Sequence, residues 1–262
     1  MNSQHGSDSL TQSPDARPAV LVTGAVRRIG AAIAKDLAAA GFPVAVHGRH
    51  AGDAESVAEA ICASGGRAQA FGGDLADFAA TQALAADVSA RMGPIGILVN
   101  NASVFEDDSV QGFDAALFDL HMAVHVRAPA QLAQAIAAQG SAGLIVNIID
   151  QRVLRLNPRF FSYTLSKSAQ WTATQTMAQA LAPSFRVNAI GPGPTLQNSR
   201  QSADDFAAQI AGLPLKHGPA LSEFAATILW MWRTPSLTGQ MIALDGGQHL
   251  AWETPDVAGI AE

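Results

Sequence analysis

From residue 19 onward the chain alternates between short, nearly unbroken apolar runs and longer stretches in which apolar positions recur three or four residues apart. The first rhythm marks strands covered on both faces, and the second marks helices with one apolar face. Strands are predicted at 19–23, 43–47, 68–71, 96–100, 143–149, 185–190 and 240–244. A first helix carries Ile29, Ile33 and Leu37 on one face and stops at Gly41. Further helices are predicted near 53–64, 76–92, 114–139, 162–182 and 221–233. The stretch 191–220 is rich in Pro and Gly, with one short helical piece. It follows the sixth strand at the ligand edge of such a sheet and is expected to cover a substrate.

Strands alternating with helices imply an α/β fold, a single doubly wound parallel sheet of Rossmann type with helices on both faces. No internal repeat or linker divides it, so one domain is expected over 18–262. Residues 1–17 are polar and rich in Ser, Gln and Asp, and read as a disordered tail. They lack the charged start and apolar centre of a signal peptide. No apolar run approaches the ~18 residues of a membrane span. The net charge of −6 speaks against a nucleic-acid partner, which calls for a basic face. The lone cysteine, Cys62, allows no intramolecular disulfide and fits a reducing, cytoplasmic setting. It falls in an amphipathic helical run and is expected to be a buried bystander.

The first strand runs into Thr23-Gly24-Ala25-Val26-Arg27-Arg28-Ile29-Gly30, where a helix opens. A glycine-containing strand-to-helix turn sets backbone N–H groups and the positive helix end against a pyrophosphate. At the tip of the second strand an NAD site places an acid for the ribose 2′-hydroxyl. Here the tip reads His47-Gly48-Arg49-His50, with a cation and no acid. Arg49 there suits the 2′-phosphate of NADPH, and a solvated loop Arg is the plainer alternative. Tyr163 is the only tyrosine, and Lys167, one of three lysines, stands four residues later on the same helix face. An ammonium beside a phenol is expected to lower the phenol's pKa, tuning it as a general acid.

Together these residues resemble the short-chain dehydrogenase/reductase family over about residues 19–250. Further marks are Asp74-Leu75, Asn100-Asn101-Ala102-Ser103, Gly191-Pro192-Gly193 and Leu244-Asp245-Gly246-Gly247. The resemblance implies that Asp74 and Leu75 lie by adenine and that Asn101, Ala102 and Ser103 line the cofactor. It also implies that Pro192 and Gly193 border nicotinamide, that Tyr163 is catalytic, and that Lys167 also binds the nicotinamide ribose. It further suggests a homotetramer.

Three positions depart from the common family pattern. Arg28 replaces a glycine, His125 stands where the long helix usually has Asn, and Asp150 replaces the usual serine thirteen residues before the tyrosine. An ionised carboxylate cannot donate to a carbonyl oxygen; it suits a substrate rich in N–H groups. In these respects the chain is similar to the pteridine reductase branch of the family. That likeness implies NADPH-dependent hydride transfer to a 7,8-dihydropterin of dihydromonapterin, dihydrobiopterin or dihydrofolate type. Asp150 and Tyr163 are both candidate proton sources, Phe105 a stacking ring, and Arg28 a bridge between substrate and cofactor phosphate. Asp150 as a turn cap, Phe105 as a core ring and His125 as a packing residue stay open. The rivals are a general carbonyl or 3-oxoacyl reductase and a non-catalytic NADPH-binding sensor or scaffold. No metal site is expected.

Overall fold

The computed structural model describes residues 17–198, 200–254 and 258. Residues 1–16 of the tail expected over 1–17 lie outside them. Arg17, its expected last residue, places its guanidinium 4.8 Å from the Phe42 ring centre.

Seven strands form one sheet: β1 (Ala19–Val22), β2 (Pro43–Gly48), β3 (Arg67–Gly72), β4 (Ile95–Asn100), β5 (Gly143–Ile148), β6 (Phe185–Pro192) and β7 (Met241–Leu244). Their order is β3-β2-β1-β4-β5-β6-β7, and each adjacent pair is parallel. Successive strand residues point to opposite faces, so a sheet covered on both sides needs apolar residues at every position. Accordingly Val20, Val22, Val44, Val46, Ile97 and Val99 face α1 (Arg28–Ala39), α2 (Ala51–Ala63) and α8 (Leu221–Arg233). Leu21, Ala45, Leu98, Ile145 and Val187 face α3 (Phe78–Met92), α5 (Ala128–Ala137) and the end of α6 (Phe161–Ala180). The strand order reverses between β1 and β4, and the crevice beyond their carboxyl ends is where such sheets bind ligands. No helix among the described residues is long and apolar enough to cross a membrane.

Two expectations need correction. The helix predicted at 114–139 is three pieces: α4 (Ala115–Met122), a π-helical turn at Ala123–Arg127, and α5. Pro129 lacks the N–H that would bond the carbonyl of His125, and its ring crowds that carbonyl. The turn widens, and the Ala128 N–H reaches back five residues to Ala123 O. Cys62 is exposed, not buried. The inward residues of α2 are Ala54, Val57, Ala58 and Ile61, and position 62 falls outside that stripe. Within 191–220 the helical piece is α7 (Ala203–Ala211), opened by a reciprocal Ser202–Asp205 capping box.

Candidate active site

The turn after β1 is held from three sides. Thr23 Oγ1 accepts the N–H groups of Asn101 and Ala102, both at 3.0 Å. The Asn101 amide donates to Thr23 O at 2.9 Å and Gly24 O at 3.0 Å. His47 Nδ1 accepts the Gly24 N–H at 3.2 Å, and its Nε2 lies 2.9 Å from Gly73 O. A carbonyl only accepts, so the proton sits on Nε2 and the ring is neutral. Burial, the dominant cause, holds the His47 pKa below its usual value in keeping with this. Both ring nitrogens are thus taken by backbone, and His47 braces the turn instead of offering a nitrogen to a ligand.

Two glycines of the turn are sterically required. Gly24 has φ +61, and a Cβ there would come within 2.7 Å of Ala102 Cα. A Cβ on Gly30 would lie 2.4 Å from Gly24 O. Arg28 itself has φ +52, which suits glycine better. Its guanidinium donates to Leu196 O at 2.9 Å and Gln197 O at 2.8 Å, fastening the segment after β6 over the turn. No side chain caps the start of α1 at Arg27, so its first N–H groups are left for another acceptor. At the tips of β2 and β3, Arg49 Nε and the Asp74 carboxylate lie 3.8 Å apart, both exposed. His50 begins α2 without a side-chain cap, and Leu75 is buried beneath Asp74. Beyond β6, a Cβ on Gly193 would meet Asp245 Cα at 2.6 Å, so the Pro192-Gly193 bend lies close against the segment after β7.

At the carboxyl end of β5 and the first turns of α6 the structure brings Asp150, Tyr163 and Lys167 together. Tyr163 Oη donates to Asp150 Oδ2 at 2.9 Å. Asp150 Oδ1 accepts the Arg152 N–H at 2.8 Å. One carboxylate thus caps the Gln151–Val153 turn and also accepts the phenol's hydrogen bond. Lys167, 2% exposed, donates to Ile148 O at 2.9 Å and Gln170 Oε1 at 3.1 Å. An ammonium has three N–H donors, so one is left over. Burial brings its pKa down to about 8, against the opposing pull of Asp150.

The expected tuning of the phenol has the wrong sign. Tyr163 is pushed well above the usual tyrosine value, first by burial and then by the charge and hydrogen bond of Asp150. The Lys167 ammonium lies 5.8 Å from the ring centre and makes its bonds elsewhere. The phenol is therefore held protonated.

His125, in the π-helical turn, joins this cluster. Its Nε2 accepts the Val104 N–H at 3.1 Å, which places the ring proton on Nδ1, 2.8 Å from Ser166 Oγ. Ser166 Oγ in turn donates to Tyr163 O at 2.8 Å. Burial, helped by the Lys167 charge, holds His125 neutral, far below its usual pKa. Ser103 Oγ lies 3.0 Å from the same Nε2. Phe105 stacks on Phe160, with ring centres 4.3 Å apart, and meets the edge of Tyr163 at 4.7 Å. Phe160 and Arg152 escaped the reading of the sequence. They come from loops, where no periodicity marks an inward side chain; Ser166, one turn beyond Tyr163, was within reach of helical spacing.

The uncapped helix start, the glycine turn with no room for side chains and the spare Lys167 donor together fit a dinucleotide of NADP type. The family model for short chain dehydrogenases matches residues 18–207. The chain belongs to the short-chain dehydrogenase/reductase family. Membership places it among oxidoreductases. FolM alternative dihydrofolate reductase 1 from Brucella canis, solved with NADP, is 53% identical, with TM-score 0.90 over 94% of this chain and 100% of that one. Its counterpart from Brucella suis, also with NADP, is 54% identical with the same TM-score and coverage. L-xylulose reductase of Bos taurus is 32% identical over 244 residues, 87% of this chain and 94% of that protein.

Proposed function

We propose that this protein is an NADPH-dependent reductase acting on the N5=C6 bond of a 7,8-dihydropterin. The observation that carries this reading is the Tyr163–Asp150 hydrogen bond in the place where carbonyl reductases of the family carry a serine. The Brucella structures support both cofactor and substrate class, being named dihydrofolate reductases and holding NADP.

Gly24, Gly30, Asn101, Ala102, Ser103, Lys167, Pro192 and Gly193 would hold the dinucleotide, with Ile29 at the open helix start. Arg49 would meet the 2′-phosphate, and Asp74, Leu75, His47 and His50 would border the adenosine end, His47 only through the turn it braces. When bound, NADPH supplies a hydride for C6. The protein's part is to hold the pterin and bring a proton to N5. The Asp150 carboxylate would accept N–H groups that a ketone lacks. Tyr163 is kept protonated by burial and by that carboxylate, so it is a store of the required proton, which passes to N5 directly or by way of Asp150. Arg28 closes the 191–220 segment over the site, and Phe105 presents a ring face to a flat substrate.

The test is NADPH consumption with 7,8-dihydropterins against ketones and 3-oxoacyl thioesters. Dihydropterins should turn over, and Tyr163→Phe should lower that rate about 10²–10⁴-fold. Turnover of the carbonyl compounds alone would make the protein a general carbonyl reductase and end the pterin reading. NADPH binding without turnover of either class would make it a sensor.

A further inference from the structure

The mouth of the site carries three arginines around the Phe105–Phe160 stack, and two of them are already neutralised. Arg200 pairs with Glu106 at 2.9 Å and donates to Phe105 O at 2.5 Å. Arg159 pairs with Asp107 at 3.9 Å. Arg152 has no carboxylate within ion-pairing distance among the described residues. Its one hydrogen bond by the side chain runs from Nη1 to Arg159 O at a long 3.3 Å. Its Nε is buried with no partner, and its Nη2 makes no hydrogen bond among the described residues. The unpaired edge of the guanidinium, Nε–H beside Nη2–H, is the edge that meets a carboxylate in two parallel bonds. The same guanidinium lies 5.2 Å from the Phe160 ring centre, 5.8 Å from that of Phe105 and 5.7 Å from that of Tyr163.

A buried donor without an acceptor is costly, and more so when it is charged. Such a group persists where a ligand completes it. We propose that Arg152 reads a carboxylate on the substrate, so that the enzyme favours dihydropterins whose C6 substituent is aromatic and anionic, of folate type, over those with a neutral side chain. The aromatic part of that substituent fits the Phe105–Phe160 region, where both rings are half-buried. Phe160 sits in the left-handed region at φ +57, which favours glycine over a bulky side chain, so its placement there is set by surrounding structure. This inference rests on the pterin reading above.

The experiment compares kcat/KM for dihydrofolate, its dimethyl ester and dihydrobiopterin in the parent protein and in Arg152→Met and Arg152→Lys. In the parent, esterification should lower kcat/KM about tenfold or more, because the charge-assisted bonds are lost. Arg152→Met should lower the dihydrofolate-to-dihydrobiopterin selectivity by a similar factor and erase the ester effect; Arg152→Lys should restore part of it. An ester that performs as well as the acid in the parent overturns the inference even if Arg152→Met fails to fold. So does an equal loss on all three substrates in Arg152→Met, which would mark a structural role. In either case dihydropterin turnover by the parent leaves the pterin reading standing. A parent that reduces no dihydropterin removes both.

Discussion

Tyr163, the side chain given the proton in the proposed reaction, is tuned by a contest between two charges. The Asp150 carboxylate touches the hydroxyl at 2.9 Å and raises its pKa, whereas the Arg152 guanidinium, 5.7 Å from the ring centre, pulls it down. Coulomb energy falls with distance, and burial also opposes phenolate, so the carboxylate side wins and the phenol stays protonated. Removing the charge while keeping the shape should reverse part of this. In Asp150→Asn the phenol's pKa should fall, since its second cause of elevation, the carboxylate charge, is gone while an amide oxygen can still accept the hydroxyl. Tyr163 is the only tyrosine, so ultraviolet absorbance of phenolate reads this one group in the whole protein. A titration midpoint that stays put or rises would remove Asp150 as a source of the shift. That Tyr163 and Lys167 are neighbours was legible in their spacing, because helical residues four apart share a face. The direction of the pKa change was not, because it depends on distances that only the folded chain sets.

Among the elements, those with a strong period were readable and those shaped by tertiary contact were not. All seven strands were visible, the central ones as continuous apolar runs because both faces are buried, while β3 carries Gln69 and β6 carries Arg186 and Asn188. The π-helical turn at Ala123–Arg127 was hidden, because its sequence continues the apolar pattern of a plain helix and only Pro129 hints at the break. Cys62 misled for a related reason: its apolar character suggested burial, but it lies beside the inward stripe of α2. The π-helical turn matters because His125 lies in it. That ring ties the Val104 N–H, next to Phe105, to Ser166 on α6, and so fixes the strap that carries Phe105 against the helix that carries Tyr163. His125→Leu leaves the Val104 N–H without its acceptor and takes away the donor to Ser166 Oγ. It should cost about 1–3 kcal/mol of stability, measured by denaturant unfolding. His125→Asn, which still offers an acceptor, should recover part of the loss. A Leu variant as stable as the parent would mean that the strap finds other partners.

At the scale of the whole molecule, the carboxyl edge of the sheet is lined by histidines that must stay neutral. Burial is the first cause of a lowered pKa at His47, His121 and His125 alike. At His121 the Asp108 and Glu106 charges partly oppose it, and at His125 the Lys167 charge adds to it. In the unfolded chain each titrates near 6.5, so below that pH the unfolded state binds protons that the folded state refuses. Stability from these groups is complete above about pH 6.5 and is lost as the pH falls towards their lower folded values. Each unit of separation is worth about 1.4 kcal/mol. Exposed carboxylates titrate mainly below about pH 5, which leaves the interval from pH 7 to 5 to the histidines. The urea midpoint of the protein should therefore drop across that interval, and His125→Asn should flatten the slope by removing the group whose neutral form is most strongly enforced. A midpoint that holds level or climbs between pH 7 and 5 would mean that these rings accept protons inside the fold, and the neutral tautomers assigned to His47 and His125 would fall with it.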